Sequence, residues 1–241
     1  MRFVPVVRII FIAALLAAGF ILFAIGRRSP QDLPWTRLDL GAPIGLFTGR
    51  KVATLTENAP LCRALLDRAG VRYMTLTPRA EGAHCGHSDA VRFTAGGSRR
   101  IAYAPRPPGT SCAVAAALAM WEWNVVQPAA LRHLGRTVTR IEHLGSYNCR
   151  RIYGRENGNW SEHSRANAID ITGFRLDDGH HVTILKGWDG APEEAAFLRE
   201  VRDGACKLFS TTLSPDYNAA HADHLHLDEA KRGIAGWRTC R

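Results

Sequence analysis

Among the six cysteines of this 241-residue chain there is no C-x-x-C pair, which excludes a zinc ribbon built on paired thiolates. No cysteine lies near residue 20, so the N-terminus is not a lipoprotein anchor. There is no nucleic-acid motif, and the arginines are scattered. The formal net charge of +9 is therefore a solvated surface rather than the clustered basic face that grips phosphate backbones. Acidic residues are missing from the first 28 positions, which hold Arg2, Arg8, Arg27 and Arg28. Beyond them the basic excess falls from nine to five, a modest field that suits an anionic polymer or a membrane surface.

A hydrophobic fraction of 46% with 22% charged residues allows a sizeable core. The length predicts one main domain with an N-terminal appendage. Ile9 to Gly26 is uncharged and almost wholly apolar. As a helix it rises about 27 Å, enough to cross a bilayer core of about 30 Å with help from its flanks. It is longer than the usual signal-peptide core and no A-x-A site ends it. An uncleaved single-pass anchor over residues 1–28 is expected, with the N-terminus in the cytoplasm and the domain outside. Secretion after signal cleavage is the alternative. Residues 29–57 contain Pro30, Pro34 and Pro43 and read as a linker, or as a strap lying on the domain of residues 58–241.

Six cysteines behind an export segment predict three disulfides. The expected pairing is Cys62 with Cys85, Cys149 with Cys206, and Cys112 with Cys240. His84-Cys85-Gly86-His87 has metal-ligand residue types, but a disulfide cysteine between surface histidines explains it.

Helices are predicted over Cys62–Ala69, over the Ala-rich Ser111–Leu131, which Pro128 should break or end, and over Pro192–Ala205 with its early Glu193 and Glu194. Strands are predicted over Thr137–Tyr147, Ala166–Phe174, His180–Leu185, Lys207–Leu213 and Asp223–Asp228. The fold class that follows is α+β. It has an antiparallel sheet core with flanking helices, a metal site on one face, and a single transmembrane helix in front.

Two runs carry chemistry: Ser161-Glu162-His163-Ser164-Arg165-Ala166-Asn167-Ala168-Ile169-Asp170, and His221-Ala222-Asp223-His224-Leu225-His226. Period-two alternation puts Ile169 and Ile171 on one face and Ala166, Ala168, Asp170 and Thr172 on the other. His224 and His226 share one side of their strand, while Leu225 and Leu227 share the other. If the strands pair, Asp170 and His226 converge and His163 reaches over from a loop. Two imidazoles and one carboxylate are Zn²⁺ ligands, and three protein donors leave a fourth position for water. His163, Asp170 and His226 are the candidate set, because half-buried ionisable groups cost several kcal/mol unless paired or metal-bound.

These runs, SEHSRANAIDITGF and PDYNAAHADHLHLD, resemble the bacterial extensin-like C-terminal domain family over about residues 58–241. More distantly, residues 140–228 resemble the lysostaphin, D-Ala-D-Ala metallopeptidase and hedgehog superfamily. The spacing of His221, His224 and His226 is also similar to that of the penicillin-insensitive murein endopeptidases. No proline-rich repeat accompanies the extensin label. The resemblance implies His163, Asp170 and His226 as zinc ligands and a base just before the last of them. The carboxypeptidase branch has Glu where this chain has Asp223, so the base stays open among His224, Asp223 and His221. Ala166 stands where glycine is frequent.

The superfamily also places a Tyr-Arg step before the histidine motif. Here Ser146-Tyr147-Asn148-Cys149-Arg150-Arg151 is similar, and Arg150 would steady an oxyanion or grip a carboxylate. Tyr217, Asn218 and His221 would either support the ligands from behind or form the substrate wall. What the resemblance implies is a zinc peptidase acting on peptidoglycan peptides, either carboxypeptidase or endopeptidase, anchored in a bacterial inner membrane with its domain in the periplasm. The alternative is a non-catalytic, zinc-containing wall-binding protein.

Overall fold

The computed structural model describes residues 3–233 and 237–241; Arg2, counted above, lies outside the described residues. Helix α1 (Phe3–Arg28) carries a stretch, Val6–Ala24, long and apolar enough to cross a membrane, a test that a signal sequence also passes. The following segment is a strap. Gln31, Leu33, Leu38 and Leu40 are buried, α2 (Thr48–Ala53) packs against a later helix, and Val52 and Leu55 join the core.

Helix α3 (Ala59–Arg68) starts on Asn58, whose side chain accepts the Leu61 N–H at 3.0 Å, with Pro60 in its first turn. Strands β1 (Val71–Thr75), β2 (Arg79–Glu81), β3 (Cys85–His87), β4 (Val91–Gly97), β5 (Ala102–Ala104) and β6 (Gly109–Thr110) follow. Of these, β1, β4 and β6 form a small antiparallel sheet, and β2 and β3 form a separate hairpin.

Helix α4 (Cys112–Trp121) is capped by Ser111 and buried along its whole length. Its alanines let α3 and α2 approach closely, and the Trp121 indole donates to the Val201 carbonyl at 2.9 Å. Pro128 does not end this helical run. A π turn over Glu122–Val126 re-phases the chain, so Pro128 falls in the first turn of α5 (Gln127–Leu134), where its missing N–H is not needed.

Strands β7 (Val138–Gly145), β8 (Ala168–Leu176) and β9 (His181–Thr183) come next, then the short α6 (Ile184–Gly187). The predicted strand through Leu185 is thus cut short, since Thr183 caps a helical turn by accepting the Lys186 N–H. Helix α7 (Pro192–Leu208) has Glu193 and Glu194 in its first turn, complementing the dipole. Strands β10 (Thr211–Leu213), β11 (Leu225–Asp228) and β12 (Thr239–Cys240) complete the main sheet, in the order β12-β10-β11-β8-β7-β5, with β9 also on β8. Its inner pairs are antiparallel, while the outer pairs β5/β7 and β10/β12 are parallel. The fold is α+β with flanking helices.

Alternation decides which face does what. Leu225 lies opposite Ile171 and Leu227 opposite Ile169, and all four are buried in the core. His226 lies directly opposite Asp170, on the other face.

The three disulfides join Cys62 to Cys112, Cys85 to Cys149 and Cys206 to Cys240. The expected pairing is therefore wrong in all three bonds. Cys62 on α3 faces the start of α4, β3 lies against the loop after β7, and the end of α7 meets the edge strand β12.

Candidate functional site

His163 sits in a single 3₁₀ turn, Glu162–Arg165, between two left-over stretches of loop. The Ser161 hydroxyl accepts its N–H, and the His163 carbonyl accepts the N–H groups of Asn148 and Ala166. Ala166 is not part of β8. It closes the turn at φ +55°, a left-handed conformation that glycine adopts without strain, which is why the position favours glycine. Gly145, at φ +121°, lies opposite Asp170 and takes the chain out of β7. The next residue, Ser146, presents its carbonyl to the histidine.

The three candidate ligands converge. One donor atom from each of His163, Asp170 and His226 lies within 4.8 Å of the others. His163 Nε2 is 3.2 Å from Asp170 Oδ1 and 3.2 Å from His226 Nδ1, and His226 Nδ1 is 2.9 Å from Asp170 Oδ1. The outward nitrogens are held too. His163 Nδ1–H donates to the Ser146 carbonyl at 2.7 Å, and His226 Nε2–H donates to Asp228 Oδ2 at 3.0 Å. A carbonyl and a carboxylate only accept, so both outward nitrogens carry protons, and the inward nitrogens face Asp170. The donor set fits Zn²⁺.

Residues 60–241 match the model of the family described as extensin-like protein C-terminus. The chain belongs to that family. No curated protein and no solved structure matches it.

In this extensin-like domain the His163–Asp170–His226 cluster opens into a cleft of about 830 Å³, whose lining includes Arg150, Tyr153, Trp160, Tyr217, His221, His224 and Arg232. His224 Nδ1 lies 2.7 Å from Asp223 Oδ1, and its Nε2 points inward, 3.7 Å from Asp170 Oδ1. Asp223 itself does not line the cleft. Asn218 does not line it either; its Oδ1 lies 2.8 Å from His221 Nδ1 and its amide donates to the Tyr153 hydroxyl. Tyr217 meets the His221 ring edge-on. Arg150 lies in the wall, and Arg151 instead stacks over Trp160.

Electrostatics follow from this packing. Burial opposes charge on Asp170, but hydrogen bonds from His163 and His226 outweigh it and hold the carboxyl well below the usual carboxylate range. Burial likewise disfavours the His226 imidazolium, yet Asp170 and Asp228 outweigh it and raise the group to about 9. Burial, then the neighbouring His224 and His226, push His221 down to about 4, so it is neutral at pH 7.

Asp228 and the Ser146 carbonyl, which orient the two imidazoles, went unassigned in the sequence. Asp228 had a readable signal, since it is two residues after His226 on the same strand face. Ser146 had none, because a backbone carbonyl carries no sequence identity.

Proposed function

We propose that this extensin-like domain is a zinc-dependent peptidase acting on peptidoglycan peptides, held outside the cytoplasm by α1. The observation that carries the reading is the inward convergence of His163, Asp170 and His226, with both outward imidazole nitrogens already engaged. These three residues would hold the ion. Bound there, Zn²⁺ supplies Lewis acidity, acidifying water to a pKa near 7 and polarising an amide carbonyl. His224 Nε2 is the inward base and takes up the proton, while Asp223 holds the opposite nitrogen and stabilises the imidazolium. His224 then returns the proton to the leaving amine. Arg150 in the cleft wall offers a permanent positive charge to a carboxylate or to the developing oxyanion. Tyr217 and His221 form the facing wall, with Asn218 fixing the His221 ring. The likeness of the two histidine runs to the lysostaphin, D-Ala-D-Ala metallopeptidase and hedgehog superfamily supports the peptide substrate. The three disulfides support an oxidising compartment, the bacterial periplasm.

The test is full-length protein of known zinc content, incubated with muropeptides and read by mass spectrometry. Released D-amino acid or split cross-links support the peptidase. Muropeptide binding without product replaces it with a non-catalytic wall-binding protein. Protein that takes up no zinc and forms no product ends both readings.

A further inference from the structure

The strap that joins α1 to the domain buries most of its apolar side chains but leaves two open. Leu33, Leu38 and Leu40 are covered, whereas Trp35 is 68% and Leu46 75% exposed. Singly exposed apolar residues are ordinary; these two differ in where they sit. Leu46 N–H donates to Asp32 Oδ1 at 2.8 Å and Phe47 N–H donates to the Gln31 carbonyl at 3.0 Å. Leu46 therefore lies beside the point where the chain leaves α1. Lys51 braces the same turn, donating to the Pro30 carbonyl at 3.2 Å and to Thr36 Oγ1 at 2.8 Å. The Gln31 amide donates to the Arg37 carbonyl at 3.2 Å. The turn carrying Trp35 is thus fixed to the domain.

Distance does the rest. The apolar stretch of α1 ends at Ala24, and Gln31 is already buried in the domain. The helix continues to Arg28, so the path from Ala24 to Gln31 is at most about 17 Å. A headgroup layer occupies about 5–8 Å of that path. That leaves at most about 9–12 Å between Gln31 and the outer edge of the headgroups, so the strap is held close to the lipid surface. A tryptophan that reaches that layer places its ring among the headgroups with its N–H hydrated.

We propose that Trp35 and Leu46 form a second membrane contact, seated in the interfacial layer of the leaflet from which α1 emerges. This inference rests on α1 staying attached and is independent of the peptidase reading. The occupant is the lipid surface itself. A domain of this length is about 45 Å across, so the cleft would be confined to substrate within that distance of the bilayer.

The experiment uses the full chain in phosphatidylcholine vesicles with and without dibrominated acyl chains, reading tryptophan emission. Helix α1 carries no tryptophan, so its own insertion contributes nothing. Brominated lipid is expected to quench a component of the parent emission that is missing from Trp35→Phe. The double variant Trp35→Phe/Leu46→Trp is expected to regain it. Equal quenching of parent and Trp35→Phe overturns the proposal, as does an unquenched tryptophan at 46. An intact mass showing that α1 has been removed overturns it as well. None of these readouts depends on zinc or on turnover.

Discussion

Two stretches of this chain are rich in histidine and only one builds a centre. His221, His224 and His226 belong to a set that converges with His163 and Asp170. His84 and His87 flank a cysteine committed to a disulfide with Cys149. The His84 ring stacks on Trp160 at 5.2 Å, and His87 meets Tyr147 edge-on at 5.8 Å. Residue type is the same in both places. The difference is that β11 is paired to β8 in a register that sets His226 opposite Asp170. The β2–β3 hairpin pairs His87 with Arg79, which brings no carboxylate to it in register. Ligand chemistry needs donors from distant segments, and strand register supplies them.

The sharpest way to break the comparison is to remove donors from each stretch. Asp170→Ala and His226→Ala are expected to drop zinc from about one per chain to near zero, because each removes one of the three proposed protein ligands. His84→Ala and His87→Ala should keep about one. Elemental analysis of dialysed protein decides it, and the reverse pattern would invert the assignment. Next in size is turnover. His224→Ala should retain zinc yet lose roughly 10²–10⁴ in muropeptide cleavage, the usual worth of a positioned acid–base group. Simultaneous loss of zinc and turnover would make His224 a ligand instead.

The second stretch should matter for stability. A Cys85→Ser/Cys149→Ser double variant is expected to lose about 2–5 kcal/mol in denaturant unfolding. Thiol titration of the denatured, unreduced parent should find no reactive group, given three disulfides and no free cysteine.

The two stretches should also answer pH with opposite signs. His226 in the metal-free protein is raised to about 9, above its unfolded value near 6.5. Its stabilisation is fully present below about pH 6.5 and is lost as pH rises through about 9. Zinc must displace that proton, so apparent affinity should climb about tenfold per pH unit from 7 towards 9. Burial pushes His87 down, so its contribution is lost as pH falls below about 6.5, where the unfolded chain binds the proton and the folded one resists it. Unfolding of chelator-treated His226→Gln and His87→Gln across this range should flatten the alkaline and the acid limb respectively. The smallest expected effect is His84→Ala, about 0.5–1.5 kcal/mol from the lost stack on Trp160; a larger loss would mean that His84 supports the cleft wall.

Much of this was legible locally. Alternation of Ile169, Ile171, Leu225 and Leu227 against Asp170 and His226 is written in the residues, because side chains in a strand switch faces at every step. The Pro192 start of α7 and the apolar run of α1 are equally local signals. Ala166 was placed inside β8 because it fits the alternation, but the turn carrying His163 needed a left-handed residue there, and that requirement won. Pro128 read as a break or a stop because a proline inside an α-helix removes a hydrogen bond and clashes with the preceding turn. The π turn ahead of it changed the position it occupies.

By itself, then, the sequence determined the types of the longer elements, the apolar N-terminal helix, the oxidisable cysteines and the residue types of the candidate centre. All of these rest on composition or on periods of two and 3.6 residues. Tertiary structure alone decided which cysteines meet, since α3 and α4, β3 and the loop after β7, and α7 and β12 become neighbours only in the packed fold. It also decided that residues 29–57 lie down as a strap, that the Ser146 carbonyl and Asp228 turn the two imidazoles inward, and that Asp223 faces His224 rather than the cleft. Each of these depends on where backbone atoms and distant segments arrive, and no local periodicity encodes that.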